Sequence, residues 1–273
     1  SAVYWVDNEK VELPGNGGEA HSIAVHDGDV YVAGGFANGS CYWKNGEKIN
    51  LTTNADSQTY GVNVNQSGDV FIGGYYMNNH HSLIPSFWKN GKRTNLNKPN
   101  GGDGEVIAVT MKNGNTPVYA GNTLRPNNFV GLLEKPSYWI NGNRNDCKLG
   151  GSLDTISGGE ARGVFADGND IYLAGNTTHF ILTDNGVEIE GTGGTYAHYW
   201  KNKNRHDLPG GPINNYMVSD AYDVAVSDGK IVVVGSASSE AAEQVAAIWI
   251  DKELMYLVDQ NTKHSIAKSV FIE

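Results

Sequence analysis

Six side chains able to bind or to do acid–base chemistry recur at one place in a repeated pattern: His21, Tyr60, Glu105, Arg162, Tyr222 and His264. Two residues after each stands an apolar one, at Ile23, Val62, Ile107, Val164, Val224 and Ile266, and acidic residues lie just upstream at Glu19, Asp103, Glu160 and Asp220. Two phenols, two imidazoles, a guanidinium and a carboxylate in one column suit hydroxyl-rich or extended ligands, since aromatic faces stack while the polar tips hydrogen-bond. No carboxylate pair and no nucleophile–base pair emerges from the column, so no catalytic residue is assigned and ligand binding is the expected role, with a carbohydrate or an extended peptide as ligand. The competing chemistry is a glycan hydrolase or lyase, with Glu105 or a histidine as acid/base, Tyr60 or Tyr222 in support and Arg162 holding a carboxylate. A third reading is a scaffold whose surfaces bind another protein.

No metal or cofactor is expected. His21 and His264 supply two ligands where a catalytic zinc wants three. Asp27-Gly28-Asp29 and the run from Asp167 to Asp170 place Asp and Gly where a tight turn wants them, without the full calcium-loop pattern.

The elements that carry this column follow from the six tryptophans, Trp5, Trp43, Trp88, Trp139, Trp200 and Trp249. Each follows a large apolar or aromatic residue, precedes Asn or Asp by two places, and precedes by eight a leucine or, once, Cys147. Asn-Gly after the tryptophan, as at Asn45-Gly46, Asn90-Gly91 and Asn141-Gly142, supplies the positive φ angles of a two-residue hairpin. Upstream of each tryptophan a second hairpin is expected, as from Glu19 through Asp27-Gly28 to Gly34. Each repeat thus reads as strand A carrying the chemical column, a tight turn, strand B, a variable loop, strand C with the tryptophan, a tight turn and strand D.

Spacings of 38, 45, 51, 61 and 49 residues between tryptophans match one propeller blade each. The sequence predicts an all-β, six-bladed β-propeller in one domain over residues 1–273. The first residues hold only strands C and D and the last only A and B, in residues 264–267 and 270–272, so the two ends are expected to complete one blade. All six tryptophans are expected in the core. Strand A is innermost in this architecture, which places the column around the mouth of the channel.

The loops between strands B and C vary most and carry Tyr75, Tyr76, His80, His81, Arg125 and Phe129. In the fourth repeat the loop contains Phe180-Ile181-Leu182-Thr183 and Val187-Glu188-Ile189-Glu190 around Asp184-Asn185-Gly186, an expected extra hairpin.

The Tyr-Trp-Lys-Asn-Gly wording at Tyr42 to Gly46, with Phe87 to Gly91 close to it, resembles repeats of uncharacterised secreted or surface β-propellers of bacteria. The Gly34-Gly35 and Gly73-Gly74 pairs loosely resemble the double glycine of kelch propellers. The resemblance implies a propeller fold and an exported location (extracellular, cell-surface or periplasmic), and brings no catalytic residues. The aspartate boxes of sialidases are absent.

A formal charge of −10 with no lysine or arginine block disfavours nucleic acid and anionic membrane surfaces. No apolar run reaches the roughly 20 residues of a membrane span, and a monomer is expected. Cys41 and Cys147 read as packed thiols in non-adjacent repeats, too far apart to bond.

Overall fold

A computed structural model describes residues 1–15, 17–36, 39–52, 57–127, 131–150, 155–183, 186–189, 195–210, 218–239, 243–257 and 263–272. All regular elements among them are β-strands, and no helix is long and apolar enough to cross a membrane. The chain forms two compact units, Ser1–Thr123 with Trp139–Arg144 and Leu124–Tyr138 with Asn145–Glu273.

In the first unit β1 (Val3–Val6) and β2 (Glu9–Glu12) make a two-stranded sheet. Next come a sheet of β3 (Glu19–His26), β4 (Asp29–Phe36), β5 (Gly39–Lys44) and β6 (Glu47–Asn50), and one of β7 (Ser57–Val64), β8 (Val70–Met77), β9 (Leu83–Lys89) and β10 (Lys92–Asn95). The sheet of β11 (Asp103–Lys112), β12 (Thr116–Asn127), β13 (Gly131–Ile140) and β14 (Asn143–Asp146) has residues in both units. The second unit holds β15 (Thr155–Asp167), β16 (Asp170–Thr183), β17 (Gly186–Ile189), β18 (Tyr196–Lys201) and β19 (Asn204–Asp207), then β20 (Ser219–Ser227), β21 (Lys230–Ser238), β22 (Gln244–Ile250) and β23 (Glu253–Tyr256). Each full sheet runs A–B–C–D in chain order; β17 pairs with β16 outside that order, with Thr183 opposite Gly186. That is the extra hairpin expected in the fourth repeat, its turn residues 184–185 lying outside the described residues.

The C–D turns form as their residues dictate. Asn45 and Gly46 have φ of 51° and 85°, Asn90 and Gly91 49° and 82°, the double left-handed geometry of a two-residue hairpin. The asparagine does more than turn the chain. Asn45 Oδ1 accepts from the Val30 N–H at 2.8 Å, its amide donates to Asp29 at 2.7 Å, and Lys44 pairs with the same Asp29 at 2.7 Å. Lys89 and Asn90 hold Asp69 and Val70 in the same way, and Lys201 and Asn202 hold Asp170 and Ile171. The Lys-Asn pair therefore clasps the start of strand B, fixing register more than adding stability, because exposed ion pairs contribute little.

The tryptophans form the core. Trp43, Trp88, Trp139, Trp200 and Trp249 are all 0% exposed. Four of their indole N–H groups reach the carbonyl just after the strand-D leucine position of the preceding repeat. Trp43 donates to Pro14, Trp139 to Asn97, Trp200 to Lys148 and Trp249 to Pro209, at 2.8–2.9 Å. The tryptophan and the residue eight places on thus belong to one device: one ring reaches back to the previous repeat, and the leucine shapes the seat for the next. Trp88 alone of the five lacks a partner for its indole nitrogen among the described residues.

Two expectations are corrected. Trp5 is 63% exposed, so the first tryptophan is not a core residue. Among the described residues β1 pairs with β2 alone and residues 263–272 hold no strand, so the four-stranded blade expected of the chain ends is not seen there. Residues 265–270 instead run beside the β20–β23 sheet in the register of a strand A alone. The Ser265 N–H donates to the Gln244 carbonyl and its hydroxyl accepts from Ala246, just as Ser219 bonds to Thr195 and Ala197 one repeat earlier. Asp223 then takes hydrogen bonds from the Ser269 hydroxyl at 2.9 Å and the Val270 N–H at 3.1 Å. Burial pushes the pKa of this carboxyl up, against those bonds.

Candidate functional site: the bulged first strands

Each strand A of a full sheet lies at one edge of that sheet, and within a unit neighbouring strands A lie side by side: β3 beside β7, β7 beside β11, β15 beside β20. Four of them break register at the same place. The pairing of β3 with β4 skips His21, that of β7 with β8 skips Tyr60, that of β15 with β16 skips Arg162 and that of β20 with β21 skips Tyr222. A bulge leaves one residue unpaired and re-aims its side chain. The glycine of strand B opposite the bulge is required by close approach: a Cβ on Gly34 would overlap the Glu19 carbonyl oxygen.

In the first unit the bulge residues His21 and Tyr60 lie ring to ring at 5.3 Å, and Tyr75 approaches Tyr60 at 6.3 Å. The Gln58 amide nitrogen donates to His21 Nε2 at 2.8 Å, which fits a neutral ring. Burial lowers the His21 pKa, and Glu19, with its carboxylate 3.7 Å away, raises it by less. Burial, with Glu105 next in weight, pushes the Tyr60 hydroxyl well above the ordinary phenol range. Tyr60 therefore stays a neutral donor.

In the second unit Arg162 lies over the Tyr222 ring, Cζ 4.5 Å from its centroid, with Lys268 at 5.8 Å from the same ring. Arg162 donates through Nε and Nη2 to Glu160 at 3.2 and 3.0 Å, and its Nη1 is 3.6 Å from Asp220. Asp220 also accepts from Asn176 at 2.5 Å and from Gln244 at 3.0 Å. The guanidinium is thus held over an aromatic face by two carboxylates, a cation–π arrangement supported by ion pairs.

Two of the six sequence-predicted residues lie elsewhere. A Cβ on Gly121 would overlap the carbonyl of Glu105, as Gly34, Gly74, Gly175 and Gly235 meet Glu19, Gln58, Glu160 and Asp220. Glu105 therefore belongs with that supporting row, and Ile107 holds the position equivalent to the bulge residues. His264 precedes the strand; the Ser219–Ser265 equivalence puts Lys268 in the column after Tyr222. Gln58 and Lys268 are the site residues that the sequence reading missed. Lys268 had a signal: Ala267-Lys268-Ser269-Val270 repeats Ala20-His21-Ser22-Ile23. Gln58 had none. Of the loop residues, Tyr75 joins the His21–Tyr60 group, whereas Tyr76 stacks on Arg93 at 3.6 Å; Phe129 is outside the described residues.

No protein-family model matches the chain, and no curated protein does. Among solved structures it is similar to a thermostable family-43 glycoside hydrolase, at 10% identity and a TM-score of 0.47, over 92% of this chain and 97% of that one. It is also similar to a puromycin-hydrolyzing peptidase of Mycobacterium tuberculosis, at 11% identity and a TM-score of 0.37, over 92% of this chain and 48% of that one.

Proposed function

We propose that this chain is a non-catalytic, exported binding protein for carbohydrate, built as a single six-bladed β-propeller domain that reads its ligand with the bulge residues of its first strands. The observation that carries the reading is the recurrence of one bulge at one register position in four strands, each time turning out a large functional side chain: His21, Tyr60, Arg162 or Tyr222. A purely solvated strand end needs no bulge and no aromatic ring. Rings with fixed polar partners suit sugar faces and hydroxyls. The carboxyl pair nearest such chemistry, Glu160 and Asp220, is engaged by Arg162, which supports binding over acid–base work.

A glycan array followed by titration of the best ligand tests this. Arg162→Ala and Tyr222→Ala should each weaken binding by about 2 kcal/mol or more, as for anchoring residues in desolvated contacts, while Asp167→Ala in the distant A–B turn leaves it intact. Binding that tolerates both substitutions but is lost when the β16–β17 hairpin is deleted would move the site to that loop. Absence of any glycan ligand would overturn the carbohydrate reading.

A further inference from the structure

The two pairs of bulge residues are alike in place and differ in charge. Arg162 on β15 and Tyr222 on β20 are bulge residues of neighbouring strands, and so are His21 on β3 and Tyr60 on β7. Two places before them stand Glu160 and Asp220 in one pair, Glu19 and Gln58 in the other. In the second unit the chain supplies its own cation: Arg162 lies over the Tyr222 ring and is held by Glu160 and Asp220. In the first unit a histidine stands in the place of that arginine. Burial lowers its pKa, and the Gln58 amide reaches its Nε2 at 2.8 Å, so at neutral pH this ring brings no charge.

Among the described residues, lysine or arginine covers the rings of Tyr31, Phe36, Phe71, Tyr76, Tyr172 and Tyr222, at 3.6–5.4 Å from the centroid, and none lies over Tyr60. The half-buried Tyr60 ring has His21 tilted against it by 60° at 5.3 Å and Tyr75 by 47° at 6.3 Å. Rings inclined in this way make a corner of π-faces rather than a stack. Carboxylates stand beside it. Glu19 is exposed and lies 3.7 Å from His21, and the charges of Glu105 and Glu19 both raise the Tyr60 hydroxyl. The Gln58 amide is seated against Gly35, where a Cβ would meet it at 2.6 Å, so the polar edge of the corner is fixed in place. Ring faces attract cations, the carboxylates add to that attraction, and a formal charge of −10 draws cations towards the molecule as a whole.

We propose that the corner of His21, Tyr60 and Tyr75 is a subsite for an organic ammonium group, with Glu19 and Glu105 as its counter-charges. Taken with the carbohydrate reading, on which the rest of the ligand depends, this makes the ligand an amino sugar with a free ammonium in place of an N-acetyl group. The Tyr222 ring does not compete for that group, because it already carries the Arg162 guanidinium.

The test uses the whole chain at neutral pH and constant ionic strength, with tetramethylammonium chloride, a linear glucosamine tetramer and its fully N-acetylated counterpart as probes. Tetramethylammonium should shift the ring-proton NMR signals of His21 and Tyr60 saturably, and sodium chloride should not. The glucosamine tetramer should bind at least about tenfold more tightly than the acetylated one. Tyr60→Phe keeps the ring and should keep the tetramethylammonium affinity, whereas Tyr60→Leu should lower it about fivefold or more. Tyr76→Leu should leave it unchanged, because that ring already lies under Arg93. His21→Arg, which reproduces the pairing of the second unit, should abolish it. Absence of a saturable shift, or undiminished affinity in His21→Arg, overturns the ammonium subsite whatever sugar the protein binds. Equal or tighter binding of the acetylated tetramer overturns the amino sugar. Saturable tetramethylammonium binding with no glycan binding upholds the subsite and overturns the carbohydrate reading, so the two fail separately.

Discussion

At the scale of single residues, the bulge column separates groups that titrate from groups that only donate. His21 is the informative one. Burial disfavours its imidazolium and Glu19 opposes that more weakly, so the folded pKa lies below the value of about 6.5 of an unperturbed histidine. A histidine depressed on folding is protonated more readily in the unfolded chain. Its contribution to stability is therefore present above about pH 6.5 and is lost as pH falls through the window between that value and the folded pKa. A ring-proton NMR titration should place the His21 midpoint below 6.5, and Glu19→Gln should lower it further. A midpoint above 6.5 would show that the carboxylate outweighs burial, and an upward move in Glu19→Gln would show that the carboxylate does not raise the ring's pKa. Arg162 is the opposite case: a fixed charge, whose orientation over Tyr222 depends on Glu160 and Asp220 both staying in place.

At the scale of elements, sheet order, tight turns and the extra hairpin were legible because local chemistry dictates them: Asn-Gly needs a left-handed turn, and alternation sets which face is buried. The placement of Glu105 and His264 was not legible, for a physical reason. Ile107 replaces Glu105 by a slip of two residues and Lys268 replaces His264 by a slip of four. An even slip leaves every side chain on the same face, so alternation cannot detect it; the close approach of a strand-B glycine can. The Trp-to-Leu spacing was visible, but its cause, an indole reaching back to the preceding repeat, needed the third dimension. That cause separates two otherwise equivalent cores. Trp200→Phe removes a hydrogen bond and leaves the Lys148 carbonyl without it, whereas Trp88 has no such partner among the described residues. Urea unfolding should therefore show Trp200→Phe to be more destabilising than Trp88→Phe by about 1 kcal/mol, the net value of one such bond. Equal losses would mean that the indole bond does not contribute.

At the scale of the whole molecule, the two units each contain one thiol, Cys41 in the first and Cys147 in the second. Both are buried, at 0% and 1% exposure. Cys41 packs in a cluster with Ala2, Leu13, Val32 and Trp43, and Cys147 takes a strand-D leucine position, its N–H bonded to the Pro136 carbonyl at 2.9 Å. Burial raises both thiols, Cys41 to about 11 and Cys147 further. Reaction with a thiol reagent needs an accessible thiolate, and at pH 8 the folded protein offers neither access nor charge at either site. Labelling then proceeds only through opening, at a rate set by the open fraction of the surrounding unit. Native protein at pH 8 should label at both positions at least about a thousandfold more slowly than in denaturant, which corresponds to openings of about 4 kcal/mol or more. Mass spectrometry of the Cys41 and Cys147 peptides during a labelling time course reads each unit separately. Rapid labelling of Cys41 alone would show that the contact of β1 and β2 with the β3–β6 sheet opens in solution. Rapid labelling of Cys147 alone would place the weak point at the end of β14.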